Sequence, residues 1–172
     1  HIPKPALGGS VKHKRLVVLI ALWSISLTAC KTVQNMNKIS KISYTSDSGA
    51  ILPELQWHEQ ITITPGKVTL ARNGKTPDTI VNAGTWDFAV EEQKTATLFE
   101  QLEAVDCSAI QRIEPQDTPD GGGSEAYTLL YANGDQCSLV YDPGTSYTNG
   151  EKVVKPVQTF IQNLTLPAET AS

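Results

Sequence analysis

LQWHEQITITPGKVTLAR, Leu55–Arg72, decides the fold. Leu55, Trp57, Ile61 and Ile63 share one parity, while His58, Gln60, Thr62 and Thr64 share the other. Successive side chains of an extended chain point to opposite faces, so the run reads as a strand with one buried and one solvated side. Pro65-Gly66 marks a turn, and Lys67–Arg72 returns as a second strand. A polar parity beside an apolar one belongs to an antiparallel sheet with one face left to water.

Asn73-Gly74 marks the next turn. Pro77 cannot donate to a strand ladder, so the return beyond it is expected to be irregular. Thr85–Val90 alternates again, with Trp86, Phe88 and Val90 on one side, which extends the meander to three or four strands. The period then changes: Leu98, Phe99, Leu102 and Val105 recur with helical spacing behind Glu91 and Glu92, acids that suit a helix N-terminus. Cys107 falls at or just past the end of that helix, and AIQRI is expected to form a short strand.

Ala126–Ala132 and Gln136–Tyr141 flank Asn133-Gly134, a dipeptide that predicts a hairpin closed by a type I′ turn. Val157, Phe160, Ile161 and Leu164 predict a last helix, with Pro156 at its first position and Pro167 as its stop. The order predicts an α+β domain: an antiparallel sheet, built from a meander plus a C-terminal hairpin, with two helices packed on one face.

The N-terminus carries a different message. Lys12, His13, Lys14 and Arg15 precede Leu16–Leu27, a run of twelve mostly apolar residues, in the manner of a secretory signal. Leu27-Thr28-Ala29-Cys30 at its end resembles the lipobox of bacterial lipoproteins, an aliphatic residue and two small ones before a cysteine. The resemblance implies a thioether-linked diacylglycerol on Cys30, cleavage after Ala29 and acylation of the freed amine, which together anchor a protein stably to a membrane. Lys31 is not the Asp that resembles an inner-membrane retention signal, which favours the outer membrane where the source has two.

The expected organisation is then a signal peptide over 11–29, a lipidated cysteine and polar tether over 30–40, and one α+β domain over 41–172. Residues 1–10, HIPKPALGGS, fit none of this and are read as foreign to the native precursor, with Val11 its start, encoded by GTG. Removal of the leader leaves ten Lys and Arg against all eighteen Asp and Glu, a net charge of −8. That balance opposes non-specific attraction to nucleic acid or to an anionic membrane surface. No stretch after Cys30 approaches the roughly 20 apolar residues of a membrane-spanning helix, so the expected membrane contact is the lipid alone.

Cys107 and Cys137 remain as an even pair, and in an exported domain they are expected to form a disulfide. There is no CxxC to suggest redox catalysis. His58 is the one histidine of the mature part, and WHEQI lacks the second histidine of HExxH; it is read as a solvated side chain. Glu114–Glu125, EPQDTPDGGGSE, gathers four acids about three glycines, yet Asp117 and Asp120 stand three apart and the last Glu is misplaced for a calcium loop. It is read as a flexible loop. No metal, cofactor or catalytic set is expected.

Tyr141–Gly150, YDPGTSYTNG, mixes tyrosine with turn residues, and Tyr141, Tyr147 and Asn149 are the expected partner surface, since tyrosine offers area and a hydroxyl at low entropic cost. The expected function is non-catalytic binding of a protein or envelope component. The element order also resembles that of small bacterial lipoproteins of unknown function and of some secreted protease inhibitors. A protease inhibitor is therefore the alternative, and a hydrolase with a dispersed site the second.

Overall fold

A computed structural model describes residues 38–117 and 119–170 of the 172. The basic block, the apolar run and Cys30 lie outside the described residues. The order is β1 (Ile39–Asp47), β2 (Trp57–Thr64), β3 (Lys67–Gly74), β4 (Gly84–Ala89), α1 (Glu92–Glu103), β5 (Gln111–Ile113), β6 (Ser124–Tyr131), β7 (Gln136–Tyr141), β8 (Ser146–Thr148) and α2 (Glu151–Gln162). Six strands form one antiparallel sheet in the order β4-β3-β2-β1-β6-β7, and β5 pairs with β8 in a separate ribbon. The fold is α+β, as the alternating pattern predicts. No helix among the described residues is long and apolar enough to cross a membrane.

Register explains which face is buried. Phe88, Val68, Ile63, Ile42, Leu129 and Cys137 stand side by side across the sheet. Two residues further along the strands, Trp86, Leu70, Ile61, Tyr44, Tyr127 and Leu139 form a second row. Leu98, Phe99 and Leu102 of α1 and Val153 and Val157 of α2 complete the core over these rows. The opposite face keeps Ser43, Thr62, Thr69, Thr128 and Ser138 for water. A side-chain bond fastens helix to sheet, because buried Thr95 of α1 accepts the amide of Gly66 in the β2–β3 turn at 3.1 Å.

Four local expectations need correction. Leu55 is not in β2 but in a 3-10 turn, Pro53–Leu55, just before it. The strand β1 begins at Ile39, inside the stretch read as tether, because Ile39 is buried and its amide bonds Glu103 at 2.9 Å.

The β6–β7 turn is not type I′, since Gly134 has positive φ (91°) and Asn133 does not. Gly134 N–H bonds the Tyr131 carbonyl at 3.0 Å and Tyr131 N–H bonds that of Asp135 at 2.9 Å, the three-residue loop with a glycine bulge. Asn133 prefers this form because its side-chain oxygen then accepts the Asp135 amide at 3.0 Å.

Finally, α2 starts at Glu151, and Pro156 lies inside it. A proline there forgoes one helical hydrogen bond, which the burial of Val153 and Val157 on either side offsets.

The disulfide is present. Cys107, in a 3-10 turn just past α1, is bonded to Cys137 of β7 with Cα atoms 6.1 Å apart. It holds the end of the first helix to the sheet's outermost strand.

Candidate functional site

The covered face changes character in its third row. Gly84, Arg72, Glu59, Ser46, Glu125 and Tyr141 stand abreast there, on the parity that is apolar in the first two rows. Polar groups under helices must be paired, and this row solves the problem in two separate halves.

On the β2–β3 side Arg72 is a hub. Its Nε donates to Glu59 Oε2 at 2.7 Å, and both side chains are nearly inaccessible. Its Nη1 donates to the carbonyls of Pro167 and Ala168, and the guanidinium lies 5.8 Å from the Trp86 ring centroid. The C-terminal segment is further held by Asn82 N–H on the Glu169 carbonyl at 2.8 Å. No buried side-chain nitrogen or oxygen among the described residues lacks a hydrogen-bond partner, and the bonds of Arg72 tie this half to the C-terminal segment.

On the β6–β7 side the row opens into a cleft of about 390 Å³ lined by Glu125, Tyr127, Tyr141, Ser146, Tyr147, Glu151, Val154 and Gln158. Glu125 accepts hydrogen bonds from Tyr44 Oη at 3.1 Å and from Tyr127 Oη at 2.7 Å, and Gln158 Nε2 donates to Tyr127 Oη at 2.8 Å. Burial, reinforced by the Glu125 charge, drives the Tyr127 phenol far above its ordinary range, and burial pushes that of Tyr44 up to about 12. Both phenols are thus neutral donors near neutral pH and hold the carboxylate in place. The rings of Tyr127 and Tyr141 meet edge to face at 5.9 Å, and those of Tyr141 and Tyr147 lie 4.9 Å apart.

The structure therefore brings Tyr141 and Tyr147 together, but with different duties. Tyr147 Oη accepts the Val140 amide at 2.9 Å and donates to the Val140 carbonyl at 3.1 Å, taking the place of a missing strand beside β7. Arg112 adds a donor to the same carbonyl at 2.7 Å. The ring of Tyr147 faces the cleft, with the Arg112 guanidinium 6.0 Å from its centroid. Asn149 is turned elsewhere: it adopts φ 59° and donates to the Ala109 carbonyl at 3.3 Å.

Gly150 shows how closely the start of α2 sits on the tyrosines. A Cβ added there would overlap Tyr141 Oη and come within 2.8 Å of Tyr147 Cβ. Gly150→Ala is expected to destabilise the domain by about 1–3 kcal/mol through overpacking. A thermal melt checks this, and an unchanged midpoint would refute it.

Glu125 ends the acid-and-glycine run Glu114–Glu125, yet it belongs to β6 and to the cleft rather than to the loop. No group of three or more His, Cys, Asp or Glu able to hold a metal occurs among the described residues. His58 lies on the open face, Nδ1 3.8 Å from Asp47, whose other oxygen takes Lys75 Nζ at 3.1 Å. It lines neither this cleft nor the larger groove of about 1020 Å³ bounded by Phe88, Val90, Leu98, Phe160 and Leu164. Among the described residues neither place is lined by a histidine.

Sequence reasoning missed Glu125, Glu151, Gln158 and Tyr127 as cleft residues. The signal for one was available: Glu125 shares the parity of Tyr127 and Leu129 in β6, and a charge on an apolar parity calls for a partner. No protein-family model matches the chain, and no curated protein matches it significantly.

Proposed function

We propose that the protein is a lipid-anchored component of the bacterial cell envelope whose domain binds a protein or envelope component without catalysing a reaction. The cleft between β6, β7, β8 and α2 is its contact surface. One observation carries the reading: tyrosine rings and a carboxylate held by two phenols converge on an open cleft. Support for the anchor comes from the order of basic block, apolar run and Leu27-Thr28-Ala29-Cys30, and a lipid on Cys30 would place the domain at a membrane, the outer one where there are two.

Two measurements test this. The membrane-extracted protein should carry acyl mass on Cys30, and an unmodified cysteine would remove the anchor. An envelope extract passed over the domain should yield a partner retained by the native cleft and lost on Ser146→Trp, an exposed position where a bulky ring fills the opening without entering the core. Equal retention by both would remove the cleft as the contact surface.

A further inference from the structure

The cleft offers two features that one class of ligand satisfies together. Its walls are the half-buried rings of Tyr141 and Tyr147, backed by the fully buried Tyr127, and its charges are the carboxylates of Glu125 and Glu151. Among the described residues no Lys, Arg or His lines it; Arg112 lies 6.0 Å from the Tyr147 ring centroid and is itself paired with Glu114 and Asp142. Glu125 is held by two phenolic protons, which orient its charge without neutralising it. Glu151, exposed at the first turn of α2, shares no ion pair with any described residue, nor does Glu125. Negative charge therefore accumulates beside the Tyr141 ring, whose own quadrupole also attracts a cation, while the Tyr147 ring already has Arg112 near it.

We propose that this cleft binds an alkylammonium group, the ammonium head between Glu125 and Glu151 and the alkyl stem along the tyrosine rings; the assignment rests on the cleft being the contact surface. Three physical arguments select that chemistry. A metal ion is disfavoured because two carboxylates among aromatic walls give it too few oxygens. A guanidinium fork seeks both in-plane oxygens of one carboxylate; on Glu125 each already accepts a phenolic hydrogen bond, so a fork would be confined to Glu151 and could not bridge the two carboxylates. An ammonium is a compact point charge with three rotatable donors, so one oxygen from each carboxylate suffices. The apolar stem that must accompany it matches Val154 and the ring faces, and the volume of about 390 Å³ admits a chain of several carbons.

Such a group could arrive as a free amine or as the lysine side chain of a partner. The test is an NMR titration of the domain with n-butylammonium, with n-butanol as the uncharged control, and with a short lysine peptide beside its acetyl-lysine counterpart. The expected result is saturable movement of the Tyr141 and Tyr147 ring signals and of the Gln158 side-chain amide with the ammonium and not with the alcohol. Glu125→Gln should weaken binding at least tenfold. Glu151→Gln, at an exposed site, should weaken it too and keeps the test available if the first variant loses the fold. A lysine peptide that binds more tightly than n-butylammonium identifies a protein source, and the reverse identifies a free amine.

Equal response to ammonium and alcohol would overturn the proposal. If that occurs while Ser146→Trp still abolishes capture of an envelope partner, the contact surface stands and the ammonium assignment alone falls. If n-butylammonium binds but no partner depends on the cleft, the assignment stands and the contact-surface reading falls.

Discussion

Loss of the Cys107–Cys137 bond, by reduction or by the Cys107→Ser/Cys137→Ser pair, is expected to cost the domain about 3.5–4 kcal/mol. That figure follows from closing a loop of 30 residues in the chain-entropy description. For a domain of this size it corresponds to a fall of roughly 10–18 °C in Tm. Much of the enclosed loop is structurally thin. Between β5 and β6 the chain crosses residues 114–123, exposed along most of their length and rich in glycine and proline, with little apolar area to restrain them. The bond therefore removes much of the freedom that this segment would otherwise regain on unfolding. Matched thermal melts with and without reductant check the figure, and coincident midpoints would refute it.

The second large effect is expected at Arg72. Removing it as Arg72→Ala leaves Glu59 charged, nearly inaccessible and without a partner, a situation that costs about 3–5 kcal/mol. A buried pair can often be exchanged for two apolar residues at little cost, so Glu59→Leu/Arg72→Leu would ordinarily recover most of the loss. Here recovery should be partial. Arg72 also satisfies the carbonyls of Pro167 and Ala168, and no leucine can do that.

Denaturant unfolding of Arg72→Ala and of the double variant separates these contributions. Hydrogen exchange at the Asn82 amide, which bonds the Glu169 carbonyl, reads release of the C-terminal segment directly. The assignment of Arg72 as the hub fails if that amide stays as protected in Arg72→Ala as in the native protein.

Much of the architecture could be read from period alone, because a half-buried sheet imposes strict alternation and an amphipathic helix its own spacing. Ile61 and Ile63, Trp86 and Phe88, and Leu98 and Leu102 all lie where their periods place them. What period cannot convey is pairing at a distance. That β1 runs between β2 and β6 depends on contacts some 80 residues apart, such as Tyr44 beside Tyr127.

Glycine's second role was likewise hidden. Gly150 adopts ordinary helical backbone, and only the approach of Tyr141 explains why a side chain is excluded there. Of the cleft, Tyr141 and Tyr147 were legible as a composition, whereas Glu125 was masked by the acid-rich loop that precedes it in sequence. The charged residues Glu59, Arg72 and Glu125 stand on apolar parities, and in each strand that break of pattern marks where the core gives way to the polar row.

The strand β1 also sets a distance. It carries the chain from Ile39 at one end of the sheet to Ser46, whose neighbour across the ladder is Glu125 of the cleft. Seven residues of extended chain make that stand-off roughly 20 Å. The cleft and the first residue of β1 are thus held at a fixed spacing by a strand paired on both sides, so neither can shift along the sheet without breaking ladder bonds to β2 and β6.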